Sequence, residues 1–166
     1  MSLQPPSNLN DALYRPGVGI MLFNEHNKIF VARRIDSRAD AWQMPQGGID
    51  DNELPLEAAL RELKEEIGTN HATIISQYPD WLYYDIPEEL AKSLWNGRYR
   101  GQRQRWFLMR FNGRDDEINL ETEIPEFNDW QWASLDSIVD LIVPFKRTLY
   151  IQLLTQFKPY INQGNV

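Results

Sequence analysis

Glu62, Glu65 and Glu66 stand at positions i, i+3 and i+4 of the segment running from Pro55 to Ile67. That spacing makes them neighbours on an α-helix. Pro55 suits a first helical position and Gly68 suits a helix end. On a wheel of about 100° per residue, Leu56, Leu60, Leu63 and Ile67 form one narrow apolar stripe, with Ala59 beside it. The three glutamates fall on a different face, while Glu57, Arg61 and Lys64 fill the outer side. Like charges at these spacings each destabilise a helix by about 0.2–0.5 kcal/mol. They also occupy the last turn, where the helix dipole favours Lys or Arg. A hard divalent cation with oxygen ligands, such as Mg²⁺, relieves both effects. Taken alone, the helix is equally a solvated glutamate-rich surface, because glutamate is a good helix former.

Several other chemistries are excluded or disfavoured. The chain has no cysteine, which removes disulfides, thiol catalysis and thiolate-bound metal. Two histidines, His26 and His71, are too few for a histidine metal cage, and neither is given a role. With 17 Lys and Arg against 24 Asp and Glu, the net charge is −7. Sequence-blind binding to nucleic acid through a broadly basic surface is therefore disfavoured. Phosphates can still be handled through divalent cations or a local basic patch. No D-x-D-x-D-G calcium loop is present. No signal peptide is readable at the start, and no apolar run approaches a membrane span. A cysteine-free chain of this kind fits the cytoplasm. No oligomeric state is legible.

The elements that must position the glutamates follow from periodicity and turn residues. At 166 residues and 42% apolar, the chain fits one domain with a real core. A polar extension over 1–11 is expected to precede a single domain over 12–166. Val18 to Phe23 and Ile29 to Ala32 read as a hairpin across a turn at 24–28. A charged loop over 33–41 leads to a bent strand or loop over 42–49. The helix over 55–67 follows. Thr73 to Asp85 reads as strand, 87–94 as a short helix, and Gln102 to Phe111 and Phe127 to Ala133 as strands. Ser134 opens a short helix to about Ile142, Pro144 ends it, and an amphipathic helix over 145–157 closes the chain. The sum is α+β, with a mixed β-sheet sandwiched between helices.

The residues before the helix narrow the choice. From Gly47 the chain reads Gly47, five residues, Glu53, seven residues, then Arg61-Glu62-Leu63-Lys64-Glu65-Glu66-Ile67-Gly68-Thr69. This resembles the Nudix box, G-x5-E-x7-R-E-U-x-E-E-x-G-U, with U a bulky apolar residue. Only Thr69 departs, at a packing position. The resemblance extends over roughly 12–157, through Tyr14-Arg15-Pro16, Trp42-Gln43-Met44-Pro45-Gln46-Gly47-Gly48, Gly101 to Phe107, Pro125-Glu126-Phe127, Trp130-Gln131-Trp132 and Pro144-Phe145-Lys146-Arg147. These stretches are similar to those of bacterial RNA pyrophosphohydrolases and related dinucleoside polyphosphate hydrolases. At Asp85 some members of that subgroup carry a basic residue, so no phosphate contact is assigned there.

The resemblance implies a hydrolase of phosphoric anhydride bonds that requires a divalent metal, Mg²⁺ with Mn²⁺ or Zn²⁺ as alternatives. It implies metal-binding and catalytic roles for Glu62, Glu65 and Glu66. Arg61 and Glu53 would stabilise the loop–helix junction, and the Gly47 carbonyl would join the metal shell. Glu126 is added as a metal ligand, against a plain loop glutamate. Arg15, Arg33, Arg34 and Lys146 are phosphate-gripping candidates, since arginine forks match phosphate oxygens. Tyr84 and Phe145 are candidates for stacking a base, against core packing. Arg98, Arg100, Arg103 and Arg105 form a basic stretch. Arg103 and Arg105 share one strand face, as a guide for a polyphosphate or RNA end or as a solvated sheet face. The expected substrate is 5′-triphosphorylated RNA, with dinucleoside polyphosphate as the alternative. A non-catalytic nucleotide sensor is disfavoured, because degenerate Nudix domains lose box glutamates and this chain keeps them.

Overall fold

A computed structural model describes residues 11–35 and 41–163. The polar extension expected over 1–11 lies outside them apart from Asp11. The strands are β1 (Tyr14–Phe23), β2 (Ile29–Arg34), β3 (Trp42–Gln43), β4 (Gln46–Gly48), β5 (Ala72–Gln77), β6 (Leu82–Asp85), β7 (Gly101–Phe111) and β8 (Phe127–Ala133). The helices are α1 (Pro55–Ile67), α2 (Glu88–Ser93), α3 (Ile138–Leu141) and α4 (Arg147–Gln163). The strands form one mixed sheet whose central pair is parallel, β1 on β7 from Tyr14↔Gly101 to Phe23↔Arg110.

Strand alternation divides the core into two layers. On one side Val18, Ile20 and Leu22 of β1 and Phe107, Met109 and Phe111 of β7 pack under Ala58, Ala59, Leu63 and Ile67 of α1. On the other, Met21, Phe23, Trp106 and Leu108 pack under Leu149, Tyr150, Leu153, Phe157 and Ile161 of α4. The α+β class and the sheet between helices are as expected. Among the described residues no helix is long and apolar enough to cross a membrane.

The expected hairpin is closed at its tip and open beyond it. Asn24 Oδ1 accepts from the His26 and Lys28 backbone N–H groups, each at 3.0 Å, and Asn27 takes φ 60°. β1 and β2 register at Phe23↔Ile29. They then part, because β1 takes β4 at Gly17 to Gly19 while β2 takes β3 and β8. This parting opens the sheet beside a cleft lined by residues of β1, β2 and β4. Of the charged loop expected over 33–41, Arg33 and Arg34 belong to β2, while 36–40 lie outside the described residues.

Three further expectations are corrected. The strand expected over 73–85 is two strands, β5 and β6, on different stretches of β7. The closing helix begins later, after a 3-10 turn at Pro144–Lys146, and continues through Pro159. Pro159 donates no backbone hydrogen bond, yet the helix persists because Ile161 is buried against the core. The buried face of α1 is also rotated. Leu56 is 38% exposed, whereas Ala58 and Glu66 are buried. The small Ala58 and Ala59 side chains let α1 lie close on the sheet, which a wheel weighted by hydrophobicity does not foresee.

A Cβ on Gly19 would overlap the Trp106 indole across the β1–β7 pair. Gly19→Ala should therefore destabilise the fold by about 1–3 kcal/mol through overpacking, read as a lower urea midpoint at unchanged m-value.

Candidate active site

The loop that enters α1 is tied down by Arg61. Arg61 donates to both oxygens of Glu53, Nε to Oε2 at 2.8 Å and Nη2 to Oε1 at 2.9 Å. Its Nη2 also reaches the Gly48 carbonyl at 3.0 Å, and Nη1 reaches Glu62 at 2.9 Å and Glu65 at 3.1 Å. Glu53 in turn accepts from the Asp50 N–H at 2.9 Å. These bonds hold the Glu53 carboxyl down at about 2. One guanidinium thus joins strand, loop and helix. At the far end Gly68 adopts φ 83° and donates to Lys64 O at 2.9 Å, which ends α1.

The carboxylates behind Arg61 divide into two environments. Glu66 is 2% exposed, and neither of its oxygens has a hydrogen-bond donor among the described residues. Burial, then the Glu126 carboxylate, pushes it well above the usual range. Glu62 is raised too, by burial first, with Arg61 opposing and Glu65 and Glu126 adding. Glu65 is 58% exposed at the rim and engaged by Arg61. A Cβ on Gly47 would overlap the Glu62 carboxylate, so glycine is what lets β4 lie against it.

Among the described residues no three carboxylates are already gathered at metal-ligand geometry. The donor set nevertheless fits a hard cation. Glu62, Glu66 and Glu126 oppose one another electrostatically, and the buried Glu66 oxygens lack donors. Oxygen-only donors suit Mg²⁺-type ions better than soft metals.

Glu62 and Glu126 border a cleft of ≈ 510 Å³, lined on its cationic side by Arg15, Arg34 and Lys146, while Glu66 is buried. Arg15 lies against Gly48, where a Cβ would meet its guanidinium, and stacks 5.3 Å from the Trp95 ring centroid. Lys146 is buried, and its Nζ donates to Gln46 Oε1 at 2.9 Å. Burial pulls its ammonium down to about 7, with Arg34 contributing and Glu66 opposing. Tyr84 is packed in the core yet lines the cleft, its hydroxyl accepting from Gln46 Nε2 at 3.1 Å. The half-buried Phe145 ring lies 6.1 Å from it, tilted by 31°.

Three expected substrate contacts are not brought into this cleft. Arg33 turns to Asn128 at 3.1 Å and Asp129 at 3.9 Å and stacks 5.5 Å from the Trp42 ring centroid. The β2–β8 register shifts between it and Arg34, so Arg34 lines the cleft and Arg33 does not. Arg103 and Arg105 point to the sheet face opposite Gln102, which does line the cleft. Conversely, Trp95, Gln46 and Gln102 line the cleft without having been singled out. Gln46 and Gln102 sit inside stretches already notable for their resemblance. Trp95 belongs to none, and its left-handed backbone, φ 48°, has no local signal.

Residues 13–153 match the NUDIX domain. The chain belongs to the Nudix family. Nudix hydrolases generally need divalent metal ions. An RNA pyrophosphohydrolase of Rhodospirillum rubrum is 54% identical over 156 residues, covering 94% of each chain. One from Rickettsia conorii is 52% identical over 151 residues, covering 91% of this chain and 94% of that one. Among solved Nudix-like folds, an E. coli dihydroneopterin triphosphate pyrophosphohydrolase superposes with TM-score 0.66 at 18% identity, covering 87% of this chain and 99% of that one. A C. elegans Ap4A hydrolase superposes with TM-score 0.62 at 18% identity, with the same coverage. At such identity these two speak for the fold alone.

The Glu53 clamp has a pH signature. A carboxyl lowered from 4.5 to about 2 stabilises the fold fully above 4.5 and loses that contribution as pH falls toward about 2. The gap in urea midpoint between the native chain and Glu53→Gln should therefore be widest near neutrality and close across that window. A gap independent of pH would refute the clamp's contribution.

Proposed function

We propose that this Nudix protein hydrolyses the phosphoric anhydride at the 5′-triphosphate end of RNA, releasing pyrophosphate and leaving a 5′-monophosphate. The observation that carries the reading is the meeting of Glu62 and Glu126, both interacting with the buried Glu66, with Arg15, Arg34 and Lys146 in one cleft. The two RNA pyrophosphohydrolases at 54% and 52% identity support the choice of substrate. A cysteine-free chain fits work on RNA in the reducing cytoplasm.

Glu62, Glu66 and Glu126 would hold the divalent cation, Mg²⁺ by donor chemistry, with Glu65 and the Gly47 carbonyl as further oxygens. Bound there, such a cation neutralises polyphosphate charge and polarises the anhydride. The chain's own groups do the rest. Arg15 and Arg34 grip the non-reacting phosphates, and the buried Lys146 ammonium adds positive charge against the carboxylates. Phe145, with Tyr84 behind it, offers a face to a base. Arg61 fixes the Glu62 rotamer by hydrogen bond. Water attacks one phosphorus in line, and one box glutamate takes its proton as the bridging oxygen departs.

A second reading keeps the chemistry and changes the substrate: a dinucleoside polyphosphate, with diadenosine tetraphosphate yielding ATP and AMP. Competition at equal low concentration between a triphosphorylated oligonucleotide and diadenosine tetraphosphate separates the two. Preferential pyrophosphate release from the RNA is expected, and preferential ATP formation would favour the second reading. Glu66→Gln should lower turnover by roughly 10²-fold or more, since loss of even a supporting group at a metal site costs about 10–100-fold. Near-full activity of that variant with Mg²⁺ present would overturn the metal-site assignment.

A further inference from the structure

Arg103 and Arg105 occupy alternate positions of β7, on the side of the sheet away from the cleft. Both stack on one half-buried indole. The Arg103 guanidinium carbon lies 4.5 Å from the Trp81 ring centroid and that of Arg105 lies 5.6 Å from it. Among the described residues neither arginine pairs with a carboxylate. Arg105 donates to Pro79 O at 3.5 Å and, with the amide turned to face it, to Gln77. Arg103 Nε is buried with no hydrogen-bond partner.

Two of the nearby acidic groups are already engaged, and a third, Asp80 beside Trp81, makes no ion pair with either arginine among the described residues. Asp85 takes Arg100 and the Tyr14 hydroxyl, and Asp11 takes the Tyr83 hydroxyl at 2.9 Å. In a chain of net charge −7, two adjacent arginines without a carboxylate, sharing an aromatic platform, form a local cationic patch of unusual composition. Tyr83 pairs with Arg103 across β6 and β7, and Tyr14 packs edge-on to Tyr83 at 5.2 Å, so aromatic surface continues toward the start of β1. Arg98, stacked 5.1 Å from the Tyr99 ring, stands in the connection between α2 and β7, whose Trp95 lines the cleft.

We propose that this face, built on Arg103, Arg105, Trp81 and Tyr83, binds single-stranded RNA downstream of the 5′ end held in the cleft. Alternating cations and rings suit a flexible strand whose every base has a stacking face and whose every linkage carries a charge. A strand leaving the cleft past Trp95 reaches the patch by turning around the end of the sheet where β1 and β7 begin. The patch touches no part of the cleft, so it acts on length-dependent affinity and leaves the reacting phosphates alone. The inference extends the RNA reading above, and binding tests it without hydrolysis.

The test uses a 5′-hydroxyl RNA of about 16 nucleotides, the upper end of single-module site sizes, and polyglutamate as a non-nucleic polyanion. Affinity is read by fluorescence anisotropy for the native chain, Arg103→Gln/Arg105→Gln and Trp81→Ala. Each variant should weaken RNA binding by about tenfold or more. The slope of log K against log salt should fall by about 0.7 for each phosphate that the variant no longer neutralises. Turnover of a triphosphorylated dinucleotide should be unchanged, which also reports that the variants fold. Unchanged affinity for the long RNA overturns the proposal, as does an equal loss of affinity for polyglutamate. Native-like RNA binding that weakens in the variants sustains it, even should triphosphorylated RNA prove a poor substrate.

Discussion

Like charges confined in a small, poorly solvated space repel, and this repulsion organises the site. Glu66 is buried without a donor among the described residues, Glu62 is largely screened from water, and Glu126 interacts with both. A carboxylate in low dielectric is tolerated only when positive charge compensates it. Arg61 supplies part of that compensation, and its attachment to Glu53 and the Gly48 carbonyl fixes where it can be given. The junction between loop and helix is therefore an electrostatic frame as much as a packing feature. The imbalance that remains is one that a cation bound by oxygen donors would relieve, in keeping with the general need of Nudix hydrolases for divalent metal.

The sheet is built to admit this helix. β1 and β2 hold together at their turn and part beyond it, so β4 and the residue preceding β8 can bring backbone and carboxylate into the gap. Gly47 lets β4 lie against the Glu62 side chain, and the small Ala58 and Ala59 let α1 settle on the sheet. The same parting exposes Arg34, Gln46 and Lys146 to the cleft. Acidic groups of α1 and of the residue before β8 thus meet cations of β1, β2 and the turn before α4 in one cleft. That polarity is of the kind a chain of phosphates would require under the proposed function.

Positive charge is distributed on two surfaces for a related reason. An acidic protein repels a polyanion at long range, and salt screens that repulsion only beyond about a Debye length. Cations that meet such a ligand must then be local and held in place. In the cleft this is achieved by contacts with Gly48, Trp95 and Gln46, and behind the sheet by stacking on Trp81. Arginine is suited to both settings, because its planar fork binds oxygen in the plane and stacks on rings out of it.

The box was legible because its requirements are local. A helix sets i, i+3 and i+4 side by side, glycine ends it, and fixed offsets to Gly47 and Glu53 survive any tertiary arrangement. The α+β class and most strands followed from period and turn residues for the same reason. What the chain alone could not show was orientation. Three glutamates at neighbouring positions proved to have different surroundings, with Glu66 buried and Glu65 at the rim, because the rotation of α1 is set by the sheet beneath it. Alternation placed Arg103 with Arg105, but only the packing of α1 and α4 on opposite faces decided that both turn away from the cleft. Trp95 joined the site from a stretch with no periodic signal. Sequence determined which groups are neighbours along an element; tertiary structure decided which side each element presents, because facing is fixed by contacts between residues far apart in the chain.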